Sequence, residues 1–168
     1  MPEKKSYQYA SYSLADYILT LGISSQALIN KLGLSSNTIS IGGEGQFIGK
    51  INVAFNTPQW KTVADATGAW VHSKSYDQSG VFSLDINQMS PAVIRFISIV
   101  SAYYSDNEVR DGFTITLQKT SNNETFDVMG EDCRIEKIAD QDFEDEAKEQ
   151  SWKFLSGRIT FNVPAIGD

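Results

Sequence analysis

Between Gly80 and Tyr104 the chain reads first as a strand and then, after a short connector, as a helix, and that junction limits the folds open to it. Phe82, Leu84 and Ile86 fall on one side of an extended segment and Ser83, Asp85 and Asn87 on the other, the two-residue period of a strand buried on one face. Ser90 can then cap a helix, and Pro91 suits its first position, where a fixed φ helps and a missing N–H is no loss. Val93, Ile94, Phe96, Ile97, Ile99, Val100, Tyr103 and Tyr104 recur at three- and four-residue intervals, which predicts an amphipathic helix over about 91–104 with a broad apolar stripe. Such a stripe must be covered.

Most of the remaining chain reads as strand. Tyr12 to Leu21 is rich in aromatic and branched residues, and Thr38 to Ile41 is a short strand candidate. After the Gly42-Gly43-Glu44-Gly45 turn, Phe47, Ile51, Val53 and Phe55 share one side of a strand, with Lys50 and Asn52 on the other and Pro58 ending it. Trp70, His72, Lys74 and Tyr76 alternate with Ala69, Val71, Ser73 and Ser75; both faces are partly apolar, which suits a strand at an edge or between subunits. Phe113, Ile115 and Leu117 alternate with polar residues, and Ser121-Asn122-Asn123-Glu124 predicts a hairpin turn into a strand over Thr125 to Ile138. In that strand the apolar parity changes between Val128 and Cys133, which predicts a bulge near Gly130. Trp152 to Val163 changes parity between Phe154 and Ile159, with Gly157 as the expected bend.

The segment Ser24 to Asn37 is polar and irregular, with a short helical turn expected at Gln26 to Leu32. The expectation is one mainly β domain over 1–168. It is an antiparallel β-sandwich or half-barrel with one flanking α-helix over about 91–104 and a long loop or arm over about 24–37.

At 168 residues such a domain can bury roughly 70% of its unfolded surface and needs no staples. The single Cys133 gives no intrachain disulfide, so synthesis in a reducing cytoplasm is the simplest expectation. No apolar run is long enough to span a bilayer, Met-Pro-Glu-Lys-Lys has no signal-peptide core after it, and no membrane partner is expected. A net charge of −7 disfavours binding to nucleic acid by charge attraction. It is compatible with a wall that nucleic acid passes without sticking, because like charge suppresses counterion-release binding.

Catalytic constellations are scarce. The one histidine, His72, lies on a strand beside Trp70 and Lys74, and no Gly-x-Ser-x-Gly elbow accompanies it. Cys133 is expected on an apolar strand face with Ile135, buried and inert. Gly43-x-Gly45 is followed by Ile48 where a dinucleotide fingerprint needs glycine, and Lys50 by Ile51 where a P-loop needs Ser or Thr, so these glycines read as a turn. Asn123-Glu124-Thr125 matches a short glycosylation sequon that nothing else supports. Counted from Asp140, a calcium loop would need Gly and Glu where Asp145 and Ser151 stand. The acidic run from Glu131 to Glu149 therefore reads as a solvated loop, or as a ring of negative charge once copies surround an axis. No catalytic, cofactor or metal site is expected.

The block Gly80-Val-Phe-Ser-Leu-Asp-Ile-Asn-Gln-Met-Ser90-Pro91-Ala-Val-Ile resembles the strand, connector and Ser-Pro helix start of tail tube proteins from contractile-tailed bacteriophages. Tyr12 to Leu21 resembles their N-terminal strand, Phe113 to Leu117 the strand after the helix, and Asp132-Cys133-Arg134-Ile135 with Trp152 to Phe161 their closing hairpin. The Ser24 to Asn37 segment and the acidic connector Asp140 to Gln150 depart from that pattern.

The resemblance, which extends to the type VI secretion tube protein, implies a structural virion protein made in the host cytoplasm. Six copies would close into a ring, and rings would stack into the inner tube that conducts the genome. Its implied partners are further copies, a tail sheath protein, a tape-measure protein and a baseplate, with DNA passing through unbound and no cofactor or turnover. Open sheet edges would be satisfied by joining copies, and stacking would need a second, non-closing contact. Lys50, Asn52, Ser83, Asp85 and Asn87 are the lumen candidates, and Gln26, Leu28, Ile29, Leu32, Trp70 and Tyr76 the inter-subunit candidates. The alternative is a monomeric β-sandwich module in which Trp60, Trp70, Tyr76 and His72 stack against a sugar or another planar ligand. An enzyme using the carboxylates would lack a second histidine and a nucleophile, and a tube initiator or terminator of similar fold would differ in whether it polymerises.

Overall fold

The computed structural model describes residues 14–42, 48–119 and 127–163. Among these the order is β1 (Tyr17–Gly22), α1 (Gln26–Leu32), β2 (Thr38–Gly42), β3 (Ile48–Phe55), β4 (Trp60–Ala64), β5 (Trp70–Lys74), β6 (Gly80–Asn87), α2 (Pro91–Ser105), β7 (Phe113–Lys119), β8 (Asp127–Ile135) and β9 (Glu149–Asn162). Seven strands form one antiparallel sheet in the order β2-β1-β7-β8-β9-β6-β3, while β4 pairs with β5 alone. The mainly β, antiparallel class holds. The sheet is open rather than closed into a barrel, and α2 is joined by a second helix, α1. The expected strand start at Tyr12, the glycines 43 and 45, Phe47 and the turn and sequon around Asn123 lie outside the described residues.

Alternation along the strands delivers one core. Leu19 and Leu21 of β1, Ile39 and Ile41 of β2, Phe82, Leu84 and Ile86 of β6, Phe113 and Ile115 of β7, and Trp152 and Phe154 of β9 are buried on a common face. Helix α2 covers that face. Ser90 accepts from the Ala92 N–H at its start, and Ala92, Val93, Phe96, Ile99, Val100 and Ala102 point inward. The Phe96 ring lies 5.3 Å from Trp152 and 5.2 Å from Phe154. Such aromatic pairs add about 0.5–1.5 kcal/mol beyond the area they bury.

The buried stripe of α2 is narrower than its sequence suggests. Ile94 and Tyr104 are 72% and 81% exposed, and the alanines 92 and 102 take inward places instead. At 3.6 residues per turn, Ile94 falls on the outer line it shares with Ser98, Ser101 and Ser105. The Ser98 hydroxyl donates back to the Ile94 carbonyl at 2.8 Å.

The segment 24–37 is anchored rather than free. Ser25 caps α1 by accepting from the Leu28 N–H at 3.4 Å, and Gly33, at φ 65°, ends it in the left-handed conformation that glycine adopts without cost. Leu28 is fully buried, and Ile29, Leu32 and Leu34 pack against the core around it.

The two predicted kinks coincide. Between Phe113 and Ile115 the β7–β8 register shifts by one residue, so that Ile115 faces Gly130 and Phe113 faces Cys133. Asp132, at φ 52°, is the one described non-glycine residue with positive φ, and it lies across from Gly157. The buried Ser156 hydroxyl lies 3.2 Å from the Glu131 carbonyl and 3.0 Å from the Arg158 carbonyl at this bend, so the one proton it donates has an acceptor on either side. Gly130 serves a different need: a Cβ there would meet Phe82 at 2.5 Å.

Candidate assembly surfaces

The sheet face away from the helices is polar. In register, Lys50 stands opposite Asp85 and Asn52 opposite Ser83; on the other side of β6, Ser83, Asp85 and Asn87 stand opposite Lys153, Ser151 and Glu149. Lys50 and Asn52 are exposed, and Ser83, Asp85 and Asn87 half-buried. Across the sheet the same face continues as Ser40, Thr20, Thr116, Met129 and Thr160, each the register partner of the next. The surface is thus mainly one of hydroxyls, amides and opposed charges, with an apolar row, Ala54–Val81–Leu155, crossing it near the end of β6. Among the described residues β2 and β3 each pair on one edge only, which leaves a row of their backbone groups for another strand to meet.

Beyond the sheet, β4 and β5 form a two-stranded hairpin. Strand β4 was not anticipated, because neither of its faces is buried and no clean alternation marks it. One face carries the pairs Trp60–Lys74, Thr62–His72 and Ala64–Trp70; the other carries Lys61–Ser73 and Val63–Val71. Trp60, Val63, Trp70, Val71 and Tyr76 are all more than half exposed. An isolated hairpin is marginal in water, and exposed apolar groups on this scale mark a surface that something covers. The Lys74 ammonium lies 5.7 Å from the Trp60 ring and 5.2 Å from the Tyr76 ring. At the tip, the Asp65 carboxylate accepts from the Thr67 and Ala69 amides and the Thr67 hydroxyl.

Asp77 fastens the hairpin's base. Its carboxylate accepts from the Ser79 hydroxyl at 2.6 Å, the Thr57 hydroxyl at 2.6 Å and the Ser79 amide at 2.9 Å, and these bonds hold its pKa at about 2 against an ordinary 3.8. Because the folded value is depressed, the support is complete above pH 4 and lost as pH falls through about 2. In a Trp152→Phe background, where emission reports Trp60 and Trp70, fluorescence should hold from pH 7 to 4 and change below 3. The further change Asp77→Asn should produce the altered spectrum already at pH 7.

The opposite end of the sheet carries the acidic segment. The hairpin leaves where Phe55 faces Gly80, whereas the loop 136–148 enters β9 where Glu149 faces Asn87, at the far end of β6. Gln88 fixes the loop through two bonds, accepting from the Lys148 amide at 2.7 Å and donating its own amide to the Lys148 carbonyl at 2.9 Å. The buried Gln150 donates to Gln141 at 2.9 Å and accepts from the Trp152 indole. Glu144 pairs with Lys148 at 3.1 Å, and Phe143 stands 86% exposed among carboxylates. Sequence reasoning missed Phe143; an aromatic flanked by Asp142 and Glu144 was the available signal.

The inter-subunit candidates divide. Trp70 and Tyr76 are exposed on or beside the hairpin, and Gln26 is exposed on α1, where it donates to Asn30 at 2.9 Å. Ile29 and Leu32 are half-buried. Leu28 is a correction: its side chain lies wholly inside its own chain and offers no contact to a neighbour. The sugar-stacking set of Trp60, Trp70 and His72 does share a hairpin face, with the His72 Nδ1 2.8 Å from the Thr62 hydroxyl. Cys133 is buried, which raises its thiol pKa. Among the described residues no three His, Cys, Asp or Glu side chains are grouped to hold a metal ion.

No family model matches the chain, and no curated protein matches it. Solved structures do. A chain in the cryo-EM structure of the anti-feeding prophage cap, the AFP tube terminating cap, superposes with a TM-score of 0.53 at 13% identity, over 98% of this chain and 100% of that one. A chain in the PVC sheath/tube terminator of an extracellular contractile injection system, in the extended state, gives 0.54 at 10% identity over 94% and 100%. One in the PVC sheath-tube complex gives 0.51 at 11% identity over 92% and 93%. At these identities the likeness is one of fold, carried over nearly the full length of each chain.

Proposed function

We propose that this chain is the ring-forming subunit of the inner tube of a contractile, tail-type particle. The observation that carries the reading is the end-to-end fold likeness to chains of tube, sheath and terminator assemblies. Six copies close side by side through the open edges β2 and β3, and the rings stack. Lys50, Asn52, Ser83, Asp85 and Asn87 line the channel, while α2 braces the sheet from outside. Such a wall of hydroxyls, amides and balanced charge gives a passing polyanion little to hold. Gln26, Ile29, Leu32, Trp70 and Tyr76 supply contact between copies, where obligate interfaces bury about 2,000 Å² or more. A sheath protein surrounds the tube, a tape-measure protein occupies it during assembly, a baseplate starts it, and the genome or another cargo passes through without specific binding.

Negative-stain microscopy of the purified protein tests this. Rings and hollow tubes are expected, and a strictly monomeric species across concentration and salt would overturn it. The likeness to chains in a cap and a terminator favours one second reading, a subunit that makes a ring but stops there. Rings that never lengthen at any concentration would select it.

A further inference from the structure

We infer that the hairpin β4–β5 of one copy seats on the 136–148 loop of a second copy, with Phe143 entering the recess at the hairpin's base and the loop's carboxylates facing Lys74. The inference rests on the tube reading and specifies its axial contact.

Three observations lead to it. The first is position: hairpin and loop leave opposite ends of the same strands, so copies stacked along the strand direction bring the two together. The second is shape. Beneath the hairpin lies an open recess of about 480 Å³ lined by Phe55, Thr57, Pro58, Lys74, Tyr76 and Asp77, and the other end projects Phe143 into solvent. An aromatic anchor entering a partly apolar recess, rimmed by polar groups, is the arrangement in which interface energy concentrates.

The third observation is charge. Residues 136–149 hold seven carboxylates against two lysines. The hairpin segment 56–79 holds Lys61 and Lys74 against Asp65 and Asp77, but both aspartates are committed to hydrogen bonds inside the hairpin. Neither lysine has a carboxylate within 4.0 Å among the described residues. The hairpin segment is charge-balanced overall, but its two lysines are not ion-paired and its two carboxylates are held by local donors, so it offers ammonium groups beside exposed indoles, and the loop presents negative charge beside an exposed phenyl ring. Opposite charge at such a rim selects the partner and speeds encounter more than it adds affinity, while the aromatic contact holds the pair.

The test uses the full chain and four proteins: wild type, Phe143→Ser, Lys74→Glu, and Lys74→Glu combined with Glu144→Lys. The three substituted side chains are solvent-facing, so each variant should melt as wild type does. Wild type should form long tubes by negative stain; each single variant should form rings with at least tenfold less tube length; the charge exchange should recover tubes. Single variants that build wild-type tubes, or an exchange that recovers nothing, would overturn the contact and leave the tube reading standing. Wild type without rings or tubes would remove the tube reading itself, and this contact with it. A soluble oligosaccharide that quenches Trp60 and Trp70 emission equally in all four proteins would assign the hairpin face to a sugar and overturn the docking.

Discussion

Phe154→Ala should cost about 3–5 kcal/mol and bring the chain close to unfolding at ambient temperature, read as a fall in urea midpoint with an unchanged slope. The ring is fully buried on the interior strand β9 and packs against both helix and sheet, lying 5.2 Å from Phe96 of α2 and 6.2 Å from Phe113 of β7. Truncation opens a cavity where a ring of α2 and a ring of β7 meet on one side chain. The neighbours have little room to collapse into it, because the Phe96 and Trp152 rings lie 5.3 Å apart and Trp152 is paired opposite Leu84 of β6. Leu155→Ala, next in sequence but on the other face and 43% exposed, should move the midpoint little. A similar loss at both positions would count against a one-sided core.

Deleting Ser24 to Ser36 should abolish the cooperative unfolding transition, not merely the contacts between copies. Chain closure is not the difficulty, since the Ile23 N–H already donates to the Asn37 carbonyl at 2.7 Å and a short β1–β2 turn could replace the segment. What disappears is cover. Leu28 alone should be worth about 2–5 kcal/mol on truncation to alanine, and Ile29, Leu32 and Leu34 leave with it. The sum reaches the whole stability of an ordinary domain, about 5–15 kcal/mol. Calorimetry on the deletion variant should find no transition, and a sharp melt near that of wild type would return the segment to the status of a free arm.

That reversal marks where the sequence could be read and where it could not. Strand β6 and the start of α2 were legible because both signals are local: strict alternation on one buried face, then Ser90 and Pro91. The helical turn at 26–32 was legible for the same reason, but its destination was not. Leu28 could as well cover a neighbour as its own core, and only the tertiary position of α1 against α2 decides. The bends of β8 and β9 were visible as parity changes, the first expected near Gly130 and found at Asp132, although their alignment across the two strands depends on register. Hairpin β4–β5 left the weakest trace, since a ribbon exposed on both faces has no buried period to write into the sequence. On the polar face Lys50, Asn52, Ser83, Asp85 and Asn87 followed directly from alternation; what the face confronts did not.

The unlike ends of the sheet have a consequence for growth. A stack built by setting one copy's hairpin on the next copy's acidic loop is a directional polymer, with Trp60 and Trp70 bare at one terminus and Phe143 with its carboxylates bare at the other. Elongation of that stack would be blocked at either terminus by a protein that imitates the missing half. In such a stack a stopper shaped for one terminus would have no purchase on the other, so length control and nucleation would need two chemically different caps.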